Sequence, residues 1–97
     1  ANQLALMVLV KARAQLALGE SASALATARD ALAIAEANAP KPEQSATVGA
    51  ALMVMAHASR ALGEEQQALA AAKRAATALS QSLGPDHSET RRAAAYR

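Results

Sequence analysis

The sequence predicts an all-α fold, built of antiparallel helical hairpins stacked as an α-solenoid. Three observations predict it. About three residues in ten of the 97 are alanine, the strongest helix former. Apolar residues recur at spacings of three and four, the signature of a helix face. Most telling, the chain repeats itself: Ala17-Leu18-Gly19-Glu20 returns as Ala61-Leu62-Gly63-Glu64, a shift of 44 residues. At that shift Ala24-Leu25-Ala26 becomes Ala68-Leu69-Ala70, Ala28-Arg29 becomes Ala72-Lys73, and Val8-Leu9-Val10 becomes Leu52-Met53-Val54. A segment that returns at such a period is one supersecondary unit stacked on its copy.

Each copy reads as two helices. In the first, Leu4, Met7, Val8, Val10, Ala14, Ala17 and Leu18 mark an apolar face that runs to a break at Gly19. A second helix spans about 21–37 and carries Ala24, Leu25, Ala28, Ala31, Leu32 and Ala35 on one side. The pair returns over about 43–62 and 65–83. Two or three residues at each glycine leave neighbouring helices no choice but to run antiparallel. Ala39-Pro40-Lys41-Pro42-Glu43 and Leu83-Gly84-Pro85-Asp86-His87 punctuate the copies, since proline suits a first turn and glycine the residue past a helix end. Asp86 with Glu89 forms the pattern of a capping box and predicts a fifth helix to the end of the chain. The repeats therefore divide one domain into about 2–40, 43–84 and the start of a third over 86–97.

Composition narrows the function. Ten basic and eight acidic residues give a net charge of +2, too balanced and scattered for a nucleic-acid footprint. Lys73-Arg74 and Arg91-Arg92 are basic pairs, but one Tyr and no Phe or Trp provide no base-stacking platform. The absence of cysteine excludes disulfides and thiolate sites and fits a reducing, cytoplasmic setting. The apolar run Leu4 to Val10 is seven residues long, against the ~20 that span a bilayer, so no membrane partner is expected. Opening at Ala1 inside a helical pattern, the chain reads as a piece of a longer protein.

No catalytic constellation is expected. His57 and His87 lie thirty positions apart with no metal-ligand spacing, so neither metal nor cofactor is expected. Asp86-His87-Ser88 holds the letters of a triad, but adjacent residues cannot line up nucleophile, base and orienter. No glycine-rich loop is present to cradle phosphate, because the glycines stand singly at turns or, for Gly49, within a helix.

The residues resemble tetratricopeptide repeats of the longer type found in kinesin light chains and many bacterial regulators. Ala12, Gly19, Ala24 and Ala31, then Ala56, Gly63, Ala68 and Ala75, stand at the family's small positions. Small residues let paired helices approach closely. Ser82-Leu83-Gly84-Pro85-Asp86-His87-Ser88-Glu89-Thr90 matches the segment that joins repeats in that subfamily. The chain departs from the pattern at the aromatic positions, which hold Gln15, Ser59, Ser21, Glu65, Ala28 and Ala72. Leu9-Val10 and Met53-Val54 replace the subfamily's paired asparagines, and Lys11 stands where the family prefers leucine. HEAT-type and armadillo-type solenoids, with periods of roughly 40 to 47 residues, admit the same repeat length.

The resemblance implies a protein-interaction module of a larger regulatory protein, with a peptide or partner helix held in a groove lined by the first helix of each repeat. Mapped onto this chain, the groove positions are Leu6, Leu9, Arg13, Met53, His57 and Arg60. Two arginines beside apolar side chains suit an apolar segment that bears a carboxylate. The lysines and asparagines of the chaperone-tail clamp are missing, so that ligand is disfavoured. The rival function is self-association, as a homo-oligomer through the open end of the stack after Arg91. A self-contained four-helix bundle acting as a small enzyme or carrier would need inward polar ligands, and none is evident.

Overall fold

The computed structural model describes residues 2–39, 41, 45–84 and 86–95. Their regular structure is entirely helical: α1 (Asn2–Ala17), α2 (Ser21–Asn38), α3 (Ala46–Ala61), α4 (Glu65–Leu83) and α5 (Ser88–Ala95). α1 pairs with α2 and α3 with α4, and the pairs meet where α3 packs against α2 and α1; α5 lies on α4.

The duplication seen in the sequence is reproduced in the backbone. Where α1 ends, the N–H of Glu20 donates to the carbonyl of Gln15 at 2.9 Å and that of Gly19 to Leu16 at 3.0 Å. Forty-four residues on, Glu64 donates to Ser59 at 2.9 Å and Gly63 to Arg60 at 3.0 Å. These paired bonds close a helix end around a left-handed residue. Gly19 and Gly63 supply it, with φ of 80° and 81°. Any side chain there strains the backbone, which is why both turns use glycine.

The linkers are less regular. α3 is capped by Ser45, whose Oγ accepts from the N–H of Val48 at 3.2 Å. The expected start near Glu43 lies outside the described residues, and α3 itself begins at Ala46. The expected capping box at Asp86 is corrected: α5 begins at Ser88, and His87 Nδ1 accepts the Glu89 N–H at 3.2 Å. An imidazole set two residues before that amide reaches it directly, and Asp86 stays exposed. The period also shortens. Thr90 and Ala93, the buried pair of α5, match Val48 and Ala51 of α3 at a shift of 42. Four residues separate α4 from α5, where seven separate α2 from α3.

The interior is chiefly alanine, with Leu9, Leu25, Leu32, Val48, Leu52, Val54 and Leu79 filling between. α2 buries the six residues its periodicity marks. α1 does not. Its interior face is Ala5, Leu9 and Ala12, whereas Leu4, Met7, Val10, Ala14, Ala17 and Leu18 of the expected face are exposed. An unbroken apolar run has no polar side to contrast with, so spacing alone does not select the face that packs. The small side chains Ala5 and Ala12 are fully buried and let α1 close up on its neighbours. One exposed ion pair, Arg74 to Glu36 at 3.3 Å, ties α4 to α2 and contributes little in water.

Gly49 marks the tightest seam. A Cβ there would lie 2.7 Å from Cγ and Cδ2 of Leu79, which is itself fully buried. The equivalent positions of the first hairpin are Ala5 and Ala35, so one seam pairs two alanines and the other a glycine with a leucine. Gly49→Ala gains about 1 kcal/mol of helix propensity but meets an overpacking cost of about 1–3 kcal/mol. Urea denaturation is expected to show a net loss of about 1 kcal/mol, and the clash component should vanish when Leu79→Ala is added. The Thr90 hydroxyl is buried with no hydrogen-bond partner among the described residues. Valine fills the same shape, as Val48 does in α3, so Thr90→Val should raise the unfolding free energy by about 1 kcal/mol.

Candidate functional site

The first helix of each hairpin and the short last helix meet around one recess. α1 contributes Arg13, Leu16 and Ala17; α3 contributes Ala50, Met53, Val54 and His57; α5 contributes Glu89 and Arg92, with Leu79 of α4 between them. The recess measures about 660 Å³ and is open to solvent along one side. Such a volume suits a short stretch of side chains rather than a whole domain.

Helix periodicity explains why these residues converge. Ala50, Met53, Val54 and His57 follow spacings of three and four and so share one side of α3. The other side of α3 carries Gly49, Leu52 and Ala56, and Gly49 holds that side against α4. Arg13 and Leu16 are likewise three apart on α1, the latter half-buried and packed against the core. The result is an apolar floor of Leu16, Met53, Val54 and Leu79 with charge at its edge.

Of the six residues expected in a groove, three come together here: Arg13, Met53 and His57. Leu9 does not, being 1% exposed and part of the core, where it packs the two hairpins together. Leu9 is therefore a structural residue, and its expected contact with a partner is corrected. Leu6 is exposed on the face of α1 that carries Arg13 but two turns before it, outside the recess lining, and Arg60 lies one turn past that lining. Glu89 and Arg92 were missed. Their place depends on how far α5 begins after α4, and the strict 44-residue register puts them out of phase.

Electrostatics at the rim favour an anion. Arg13 and Arg92 carry fixed positive charge against the single carboxylate of Glu89 among the lining residues. His57 reaches solvent, yet burial of part of its ring lowers its pKa from the ordinary 6.5, and the nearby Arg60 charge lowers it further. At neutral pH the imidazole is uncharged, able to donate from one nitrogen and accept at the other. Among the described residues no three His, Cys, Asp or Glu side chains gather so as to hold a metal, and no helix is long and apolar enough to cross a membrane.

The lowered His57 pKa couples to folding. The unfolded chain takes up this proton first as pH falls, so the stability that neutral His57 provides is complete above 6.5 and is lost as pH drops through the unfolded value toward the folded one. His57→Gln should flatten the fall in urea midpoint between about pH 7.5 and about pH 5. An unchanged pH profile, or a His57 titration by NMR at or above the ordinary histidine value, would contradict the assignment.

Comparison with known proteins finds no match, whether to a family model, to a curated protein or to a solved structure.

Proposed function

We propose that this chain is a tetratricopeptide-like α-solenoid segment, a protein-interaction module of a larger cytoplasmic regulatory protein. It holds a short peptide or the end of a partner helix in the recess between α1, α3 and α5. The observation that carries this reading is the recess itself, in which the first helices of successive units share one apolar floor under an arginine-bearing rim. The repeated turn at Gly19 and Gly63 supports the stacking of like units.

The ligand has two parts. Met53 and Leu16 present polarizable and branched apolar surface, backed by the buried Val54 and Leu79, which suits aliphatic side chains of the bound segment. Arg13 and Arg92 suit a carboxylate, which a guanidinium pairs through two parallel hydrogen bonds. In this reading Arg92 stands in for Arg60, the second arginine that the family resemblance implied for the groove. The reading is one of binding without chemistry.

Self-association is the second reading. The apolar side chains that favour it, Leu4, Met7, Val10 and Leu18, gather on α1 rather than at the far end beyond α4.

Selection from a displayed random-peptide library tests the first reading. Enriched peptides are expected to combine two or more aliphatic residues with an acidic one. Arg13→Ala and Arg92→Ala should each weaken their binding by about 10-fold or more, with a further decline at high salt. Selected peptides that bind equally to both variants and to Met53→Glu would place binding elsewhere and overturn the proposal.

A further inference from the structure

One charged residue of the recess has no part in holding a carboxylate. Glu89 is half-buried on α5, and the two arginines that line the cavity with it, Arg13 and Arg92, are exposed at its open side. Glu89 and Arg92 stand three residues apart, the spacing at which opposite charges on a helix ordinarily pair. They do not pair here. Among the described residues no ion pair joins Glu89 to Arg92 or to Arg13, and the pair that does form, Arg74 with Glu36, involves no residue of the lining.

Local structure does not account for where Glu89 stands. The helix dipole favours a carboxylate in the first turn of α5 on whichever side it lies, and the outward side is open, since Ser88 and Arg91 are both exposed. Nor does the carboxylate close the helix end. The cap there joins the Glu89 backbone N–H to His87 Nδ1 and leaves the side chain out.

A ligand that fills the recess takes water away from Glu89. A carboxylate covered in this way without a partner is costly. A segment with aliphatic and acidic groups alone strands Glu89 and sets a like charge beside it. One that also brings an ammonium or guanidinium pairs every fixed charge of the lining.

On this charge complementarity we propose that Glu89 sets the specificity of the recess: the bound segment carries a lysine or arginine near its acidic residue, the cation meeting Glu89 while the carboxylate meets Arg13 and Arg92. The inference rests on the recess being a peptide site, and it narrows the ligand from an acidic apolar segment to a charge-paired one. Glu89 and Arg92 lie about one helical turn apart, so the two ligand charges fall within about four residues of each other.

The test reverses the charge on each side in turn. Displayed random-peptide libraries are selected in parallel on the 97-residue chain and on its Glu89→Lys variant. Peptides enriched on the unaltered chain are expected to hold Lys or Arg close to the acidic residue, and those enriched on Glu89→Lys to hold a second acidic residue in its place. Glu89→Gln keeps the size of the side chain and the His87 cap, and it should weaken the first set by about 3- to 10-fold. Replacing the basic residue of such a peptide by glutamate should restore its binding to Glu89→Lys. Peptides that depend on Arg13 yet bind Glu89→Gln as tightly as the unaltered chain, or more tightly, would overturn this inference and leave the recess reading standing, because Glu89 then only repels the bound carboxylate. Peptides indifferent to Arg13→Ala would overturn both.

Discussion

Close approach of helices through alanine and glycine is the contact on which the rest of this structure depends. Ala5, Ala12, Ala28, Ala31 and Ala35 in the first hairpin, and Gly49, Ala56, Ala72 and Ala75 in the second, are buried where paired helices meet. A methyl group contributes less transfer free energy than a leucine side chain, so each contact stabilises modestly. Stability must then come from many such contacts at short range, where dispersion between backbones and methyl groups adds up. At Gly49 the seam has no spare room, since Leu79 fills the space that a Cβ would take. The hairpins hold their shape because their seams tolerate so little.

That economy has a consequence for the surface. Side chains that a larger core would absorb remain outside, and they do so in two different ways. Around the recess, Leu16, Met53 and Val54 sit partly or wholly within the fold and offer an apolar floor beneath Arg13, His57 and Arg92. On the outer stripe of α1, Leu4, Met7 and Val10 face solvent beside Gln3 and Lys11. The two surfaces adjoin on α1, where Val10 of the stripe stands three residues before Arg13 of the recess.

Several features were legible before any coordinates. The Leu-Gly-Glu recurrence located both turns, because only a residue free to take positive φ closes a helix in that way, and Gly19 and Gly63 do so with the same two hydrogen bonds. The buried face of α2 followed from its spacing, since Asp30 and Glu36 supply the polar contrast that periodicity needs. Three of the recess residues, Arg13, Met53 and His57, are among the positions that the family resemblance implied for a groove. The inward face of α1 was not legible, because Leu4 to Val10 is apolar at every position. Nor was the role of His87, whose cap on α5 depends on where that helix starts.

Alone, the sequence determined the helices, their turns and the doubling of one hairpin, for these rest on local backbone preferences and on a register carried by the residues themselves. Tertiary structure decided which side of α1 packs, that Leu9 belongs to the core, and that Glu89 and Arg92 join the recess. Those outcomes depend on how closely neighbouring helices approach and on the shorter linker before α5. Such distances arise between segments far apart in the chain, and no spacing within either segment encodes them.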